Sequence, residues 1–174
     1  MDRAVSRVLK ARESGERATV YGDYDADGIT GSSLLVLGLR AAGIQADTYI
    51  PHRDREGYGL NRAALESLKA GGSSLVITVD SGTTSIEEID HAATIGLDVV
   101  VLDHHAIPPR LPKAPVVNPH RPESVYPFRH FCGAGVGFKF LQALYLALGR
   151  GQEEVEQYQD LAAIGTVADL TPFV

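Results

Sequence analysis

The sequence predicts an α/β fold: a parallel sheet of about five strands with helices on both faces, ending in a helical segment. Three observations carry this. Short apolar, β-branched runs alternate with stretches of helical pattern. The third and fourth runs are almost unbroken Val, Ile and Leu, as suits strands buried on both faces. From about residue 133 the pattern is helical to the end.

Residues 18–22 (Ala-Thr-Val-Tyr-Gly) read as a first strand, and residues 30–42 as a helix ended by Gly43. Residues 46–50 form a second strand, which Pro51 stops. Asn61 caps a helix that ends before Gly71-Gly72. Residues 74–79 are the third strand, and Ser85-Ile-Glu-Glu88 spells a capping box for the next helix. Residues 98–102 are the fourth strand and 115–117 a short fifth. A break at Gly149-Arg150-Gly151 interrupts the terminal helical region. No internal repeat or clear interdomain linker is present, so residues 1–174 read as one domain.

Bulk properties fit that reading. With 174 residues, 44% hydrophobic and 22% charged, the chain can bury a sizeable core. No apolar run is long enough to span a membrane, and the start lacks a signal-peptide core, so no membrane partner is expected. Cys132 is the single cysteine, which excludes an intrachain disulfide and sets a cytoplasmic location as the expectation. The net charge of −6 argues against a surface that coats nucleic acid generally.

In an open parallel sheet, ligands bind beyond the carboxyl ends of the strands. The first strand runs into Asp23, Asp25 and Asp27, the third into Asp80, the fourth into Asp103-His104-His105 and the fifth into Asn118. The polar clusters therefore fall on one edge of the sheet. Asp169 is a further acid near the end. Setting these six Asp aside from the 22 acidic residues leaves as many acids as the 16 Lys and Arg, so a carboxylate-rich metal site accounts for the acidic balance. Such carboxylates raise one another's pKa unless cations neutralise them. Two divalent ions, Mn²⁺ or Mg²⁺, fit oxygen ligands with an imidazole added. Asp25 and Asp27 flank Ala26, so each could hold one ion, with Asp80 as the bridge. Arg53, Arg55, Arg121 and Arg129 lie in loops at the same edge and would form a basic rim.

Plainer readings compete. Asp23–Gly28 could be an acidic turn with Gly28 left-handed. A haloacid-dehalogenase-type nucleophile would also suit an Asp-x-Asp-Gly run, but leaves His104-His105 unexplained. Gly133-Ala-Gly135-Val-Gly137 could cradle a phosphate at a helix start, though close backbone packing is the better reading. Cys132 reads as buried rather than reactive.

Taken together, several segments resemble the DHH phosphoesterase superfamily, and within it the RecJ branch of single-strand-specific exonucleases. They are Val20–Gly28, Pro51–Leu60, Val79-Asp-Ser-Gly82, Leu102-Asp-His-His105, Val117-Asn-Pro119, Cys132–Val136 and Gly165–Asp169, in that order over nearly the whole chain. The resemblance implies metal ligation by Asp25, Asp27, Asp80, His104 and Asp169, with Asp23 as a possible helper. It implies that His105 and Arg53 contact the scissile phosphate and that Asp103 orients an imidazole. Related pyrophosphatases carry a His where Tyr21 stands, which leaves room for Asp23 to assist.

The resulting expectation is a two-metal phosphodiesterase core acting 5′-to-3′ on single-stranded DNA in repair and recombination. In the full-length setting, helicase and single-strand-binding protein would be its partners. A DHH phosphoesterase for small substrates (oligoribonucleotide, cyclic dinucleotide or phosphoadenosine phosphate) is the alternative, and a non-catalytic replication scaffold is the alternative of another class. The chain is expected to be the catalytic piece of a larger protein, with DHH-associated and OB-type domains elsewhere. It is expected to lack an aromatic-and-basic stacking platform, the missing parts carrying much of the nucleic-acid grip.

Overall fold

A computed structural model describes residues 1–172. The chain opens with a helix, α1 (Asp2–Glu13), which the sequence reading omitted. Its buried residues Ala4, Val5, Val8 and Ala11 recur at helical spacing and pack on the sheet. The strands β1 (Arg17–Tyr21), β2 (Gln45–Tyr49), β3 (Ser73–Val79), β4 (Asp98–Leu102) and β5 (Val116–Val117) form one parallel sheet in the order β2-β1-β3-β4-β5. Each lies within a residue or so of its expected position.

The order of strands has a mechanical consequence. After β1 the chain crosses to β2 on one side; after β2 it returns past β1 to β3. Right-handed crossovers then put the connecting helices on opposite faces. One face carries α2 (Ala26–Ala41), α6 (Gly133–Ala147) and α1; the other carries α4 (Arg62–Ala70) and α5 (Ile86–Thr94). Between β1 and β3 the connections diverge, opening a crevice at the carboxyl ends of those strands.

Two cores result. Leu75, Ile77 and Val79 of β3 and Val100 and Leu102 of β4 face α2 and α6, while Val76, Val99 and Val101 face Leu65, Ile89 and Ala92 of α4 and α5. Helices α2 and α6 approach closely because Gly38 lacks a Cβ: one placed there would collide with Leu141 Cδ1. The Tyr145 hydroxyl donates to the Gly38 carbonyl at 3.0 Å across the same seam. Short helices α3 (Arg53–Glu56) and α7 (Glu153–Glu156) and the last helix, α8 (Gln159–Ala168), complete the described residues. None of these helices is long and apolar enough to cross a membrane.

Three local expectations are corrected. Helix α2 begins at Ala26 rather than residue 30, because Asp25 caps it and accepts from Gly28 N at 2.9 Å. Gly28 is helical, not left-handed; it is needed because a Cβ would meet the Asp23 backbone at 2.6 Å. Ser85 precedes α5 but makes no side-chain cap bond; its hydroxyl instead accepts from Leu60 N at 3.4 Å, which fastens the loop after β2.

Helix α6 offers a direct test of the core. Phe140→Ala is expected to cost about 3–5 kcal/mol in urea unfolding, whereas Leu146→Ala, exposed on the same helix, stays within about 0.5 kcal/mol. Equal losses would contradict the α2–α6 packing.

Candidate metal centre

Every acid singled out from the sequence lies at the crevice, and three segments from distant parts of the chain are needed to shape it. Asp25, the N-cap of α2, is exposed. Asp27, one turn on, is only 2% exposed. Its Oδ2 accepts from Gly133 N at 2.5 Å and its Oδ1 from Ala134 N at 2.8 Å. The free amides and positive end of α6 thus hold a carboxylate of this chain. The phosphate-cradle reading of Gly133–Gly137 is overturned at these amides, since Asp27 already occupies them. From the other side α8 closes in: a Cβ on Gly165 would lie 2.6 Å from Asp27 Oδ1.

Asp80 follows directly on β3 with a φ of 61°, a left-handed conformation unusual for a residue with a side chain. Its N–H donates to Leu102 O at 3.1 Å and its carbonyl accepts the Tyr58 hydroxyl at 3.1 Å, which fixes the twist. Gly133 is obligatory here as well, because a Cβ would stand 2.5 Å from Asp80 Cβ. The turned backbone brings Asp80 Oδ1 to 3.0 Å from His104 Nε2.

His104 stands among three carboxylates. Besides Asp80, Asp27 Oδ2 lies 3.8 Å from Nε2, and Asp169 Oδ2 lies 3.8 Å from Nδ1. Asp169 follows α8 and also accepts from Thr171 Oγ1 at 3.2 Å. Among the described residues, three groups have ligand atoms within 4.8 Å of one another: Asp23, Asp25 and Asp80; Asp27, His104 and Asp169; and Asp80, His104 and His105. Asp80 and His104 each belong to two groups. Asp23, the doubtful member, is 5% exposed with its Oδ1 buried and unpartnered, an oxygen that a cation would satisfy.

Asp103 is a buried clasp. Its Oδ1 accepts from His104 N (2.7 Å), His105 N (3.1 Å) and His105 Nδ1 (2.8 Å), and its Oδ2 from Thr83 N (2.9 Å). It orients the imidazole of His105, not that of His104. Asn118 supports the same turn, donating to His105 O at 2.9 Å and Thr83 Oγ1 at 3.1 Å.

The electrostatics follow from this packing. Burial pushes Asp80 up to about 7; the His104 hydrogen bond opposes this, and the nearby charges of Asp27 and Asp25 add to it. Burial also raises Asp23. Burial would raise Asp103 too, but the hydrogen bonds from His105 and Thr83 prevail and hold it at about 2. The hydrogen bond to Asp103 in turn lifts His105 to about 9. His104 is raised as well: burial works against its charge, but Asp80 outweighs it.

The loop after β2 forms a strap over the centre. Glu56 anchors it, accepting from Tyr49 OH, from His52 N at 2.7 Å and from Asn61 Nδ2 at 3.1 Å. The strap carries Arg53, whose guanidinium lies 5.3 Å from the Tyr24 ring centroid, and Tyr58, whose hydroxyl is 3.1 Å from His105 Nδ1. Sequence reasoning missed Tyr58, although Gly57-Tyr58-Gly59 between two loop glycines was a visible signal. The expected basic rim is reduced: Arg121 turns inward, donating to Val116 O at 2.6 Å and lying 3.4 Å from Glu123. Cys132 is fully buried as expected, caps α6 by accepting from Gly135 N at 3.2 Å, and is pushed up to about 12 by burial.

One absence is corrected. An aromatic and basic cluster exists, assembled from the loop before α6 and from α6 itself. Phe128 and Phe131 meet edge to face at 4.9 Å, His130 lies 5.8 Å from Phe128, and Tyr126 lies 5.7 Å from Phe131. Lys139 stands 6.0 Å from the Tyr126 ring centroid. Next to it lies a hollow of about 540 Å³.

Comparison with known proteins agrees with this geometry. The profile "DHH family, N-terminal domain" matches residues 17–166. The "Single-stranded-DNA-specific exonuclease RecJ" of Bacillus subtilis is 44% identical over 173 residues, which are 99% of this chain and 21% of that protein. The crystal structure of "exonuclease RecJ bound to manganese" superposes with a TM-score of 0.88 at 39% identity, over 97% of this chain and 43% of that one. For RecJ "in complex with Mn2+" from Thermus thermophilus the TM-score is 0.82 at 36% identity, over 97% of this chain and 24% of that one. The chain spans about a fifth to a third of the length of the curated relatives it matches. With its profile matched from the first strand to the last helix and its Asp-His-His triplet set among the gathered acids, the chain belongs to the DHH family.

Proposed function

We propose that this chain is the catalytic core of a metal-dependent nuclease that hydrolyses single-stranded DNA in the 5′-to-3′ direction, in repair and recombination in the cytoplasm. The observation that carries the reading is the pair of ligand groups, Asp23–Asp25–Asp80 and Asp27–His104–Asp169, linked by the 3.0 Å contact between Asp80 and His104. Its relatives are single-stranded-DNA-specific exonucleases, and two of the similar structures hold manganese. The gathered acid set speaks against the scaffold alternative. Helicase and single-strand-binding protein are the partners proposed for the whole protein.

The donors fit divalent cations: carboxylate oxygens with an imidazole nitrogen suit Mn²⁺, and the oxygens alone suit Mg²⁺. Bound there, two such ions would supply Lewis-acid charge stabilisation and activation of water. Asp25 would hold one and Asp27, His104 and Asp169 the other, with Asp80 shared and Asp23 assisting the first. Held by Asp103 and charged at neutral pH, His105 would donate to a non-bridging oxygen of the scissile phosphate. Arg53 on its strap would close on the same phosphate. Asp103 acts by orienting His105 and clasping the turn that carries His104, and Tyr58 helps to position both His105 and Asp80.

Asp80→Ala is expected to reduce Mn²⁺-dependent degradation of a 5′-labelled single strand by about a thousandfold or more. Retained activity would remove Asp80 from the mechanism.

A second test uses pH. The folded pKa of Asp80 lies above its ordinary value, so the folded chain binds the extra proton between about pH 4 and 7, and stability falls as pH rises through that window. His105, also raised, contributes stability that is complete below about 6.5 and lost as pH rises through about 9. Both act in one direction. In EDTA the urea midpoint should therefore be lower at pH 8.5 than at pH 5.5, and added Mn²⁺ should raise it most at pH 8.5. A metal-free midpoint that climbs over this range would contradict the assignment.

A further inference from the structure

We propose that the aromatic hollow beside α8 is a nucleobase subsite, which receives a base of the strand whose phosphate lies at the acidic centre. The inference rests on the nuclease reading above and adds a site to it. Phe128, His130, Phe131, Phe138, Lys139 and Thr171 line the hollow. Its volume of about 540 Å³ falls in the range of small-molecule pockets and exceeds that of one nucleoside.

The chemistry of the lining selects the occupant. Phe128 meets Phe131 at 83° and His130 at 74°, so each contact sets the edge of one ring against the face of the other. In an edge-to-face pair, one ring presents its edge and keeps its own faces clear of that partner. A π face beside a cation is what a stacked base and its phosphate require, and such stacking tolerates any base. Lys139 on the rim supplies the cation, with Arg129 and His130 exposed next to the rings. A purely apolar peptide would leave these charges unused.

Position links the hollow to the centre. Thr171 lines the hollow and donates to Asp169 Oδ2 at 3.2 Å. Gly135, also in the lining, stands one residue past the amides that hold Asp27. Thr166 lines it from α8 and lies 3.5 Å from Cys132, the cap of α6. The first turn of α6 and the end of α8 are therefore walls common to both sites. A phosphate at the acids and a neighbouring base among the rings can belong to one strand.

The test compares substrates with and without bases. With Mn²⁺, Phe128→Ala should raise KM for a single-stranded oligonucleotide about tenfold. Its kcat, and its hydrolysis of bis(4-nitrophenyl) phosphate, which has no nucleobase, should not change. Phe128→Trp should restore KM, and His130→Ala should show a smaller rise in the same direction. On a series of strands each carrying one abasic nucleotide near the 5′ end, the Phe128→Ala penalty should vanish at one position. Equal losses on the strand and on the base-free ester would indicate structural damage and overturn the subsite. An unchanged KM, or a penalty that persists at every abasic position, would overturn it as well. If the unaltered chain hydrolyses neither substrate, the nuclease reading fails instead. Binding of a 2-aminopurine strand then still decides the subsite: quenching by the unaltered chain that Phe128→Ala abolishes supports it, and quenching by neither or equally by both overturns it.

Discussion

The carboxylate of Asp27, accepting two backbone amides at the start of α6, is the constraint around which the functional end of the molecule is arranged. A buried charge of this kind is tolerable only with strong donors aimed at it, and the open end of a helix provides two, together with a favourable dipole. The bonds join residues 106 and 107 positions apart. They set α2 against α6, and the contact requires small residues on every side: Gly133 under Asp80 and Gly165 against Asp27. Those glycines serve the centre rather than a turn. With α2 and α6 fixed, the hydrophobic seam of Leu34, Leu35, Phe140 and Leu141 continues the same alignment toward the far end of the sheet.

The centre is a place where local comfort is given up. Asp80 holds a left-handed backbone, which costs on the order of 1–3 kcal/mol. It also stands buried among other carboxylates and is pushed toward its neutral form. Neighbouring hydrogen bonds offset part of this, notably the Tyr58 hydroxyl on its carbonyl and His104 on its side chain. Two carboxylates at strand ends thus meet opposite fates. Asp103 collects N–H donors and remains charged well below neutrality, while Asp80 lacks enough of them. The fully provided group organises its turn; the under-provided one stays receptive to a cation.

Much of this was legible in the sequence, and the reasons are local. Runs such as Leu75–Val79 and Val99–Leu102 announce buried strands by composition alone, and parallel topology places their carboxyl ends on one edge. That is why Asp23, Asp25, Asp27, Asp80 and Asp103 were found. What stayed hidden depends on contacts between distant segments. Nothing near Gly133 announces that its amide meets Asp27. Ser85 spells a capping box, yet the fold turns its hydroxyl to Leu60. Helix α1 was missed because its fully buried residues are only Ala and Val, with Leu9 the single larger apolar residue that packs beside them. The aromatic cluster went unnoticed because Tyr126, Phe128 and Phe131 lie in irregular chain, where no periodicity marks a common face.

The long reach of the Asp27 bonds also bears on how the protein emerges during synthesis. The carboxylate is made early and its two donors more than a hundred residues later. Until α6 leaves the ribosome, Asp27 lacks both of these donors, although Asp25 can already cap α2; Asp169 arrives later still. Asp23, Asp25, Asp80, His104 and His105 all precede α6, so two of the three ligand groups are made before it, whereas the Asp27–His104–Asp169 group waits for the residue that follows α8. The order of translation therefore places completion of the Asp27–His104–Asp169 group after every strand of the sheet has been made.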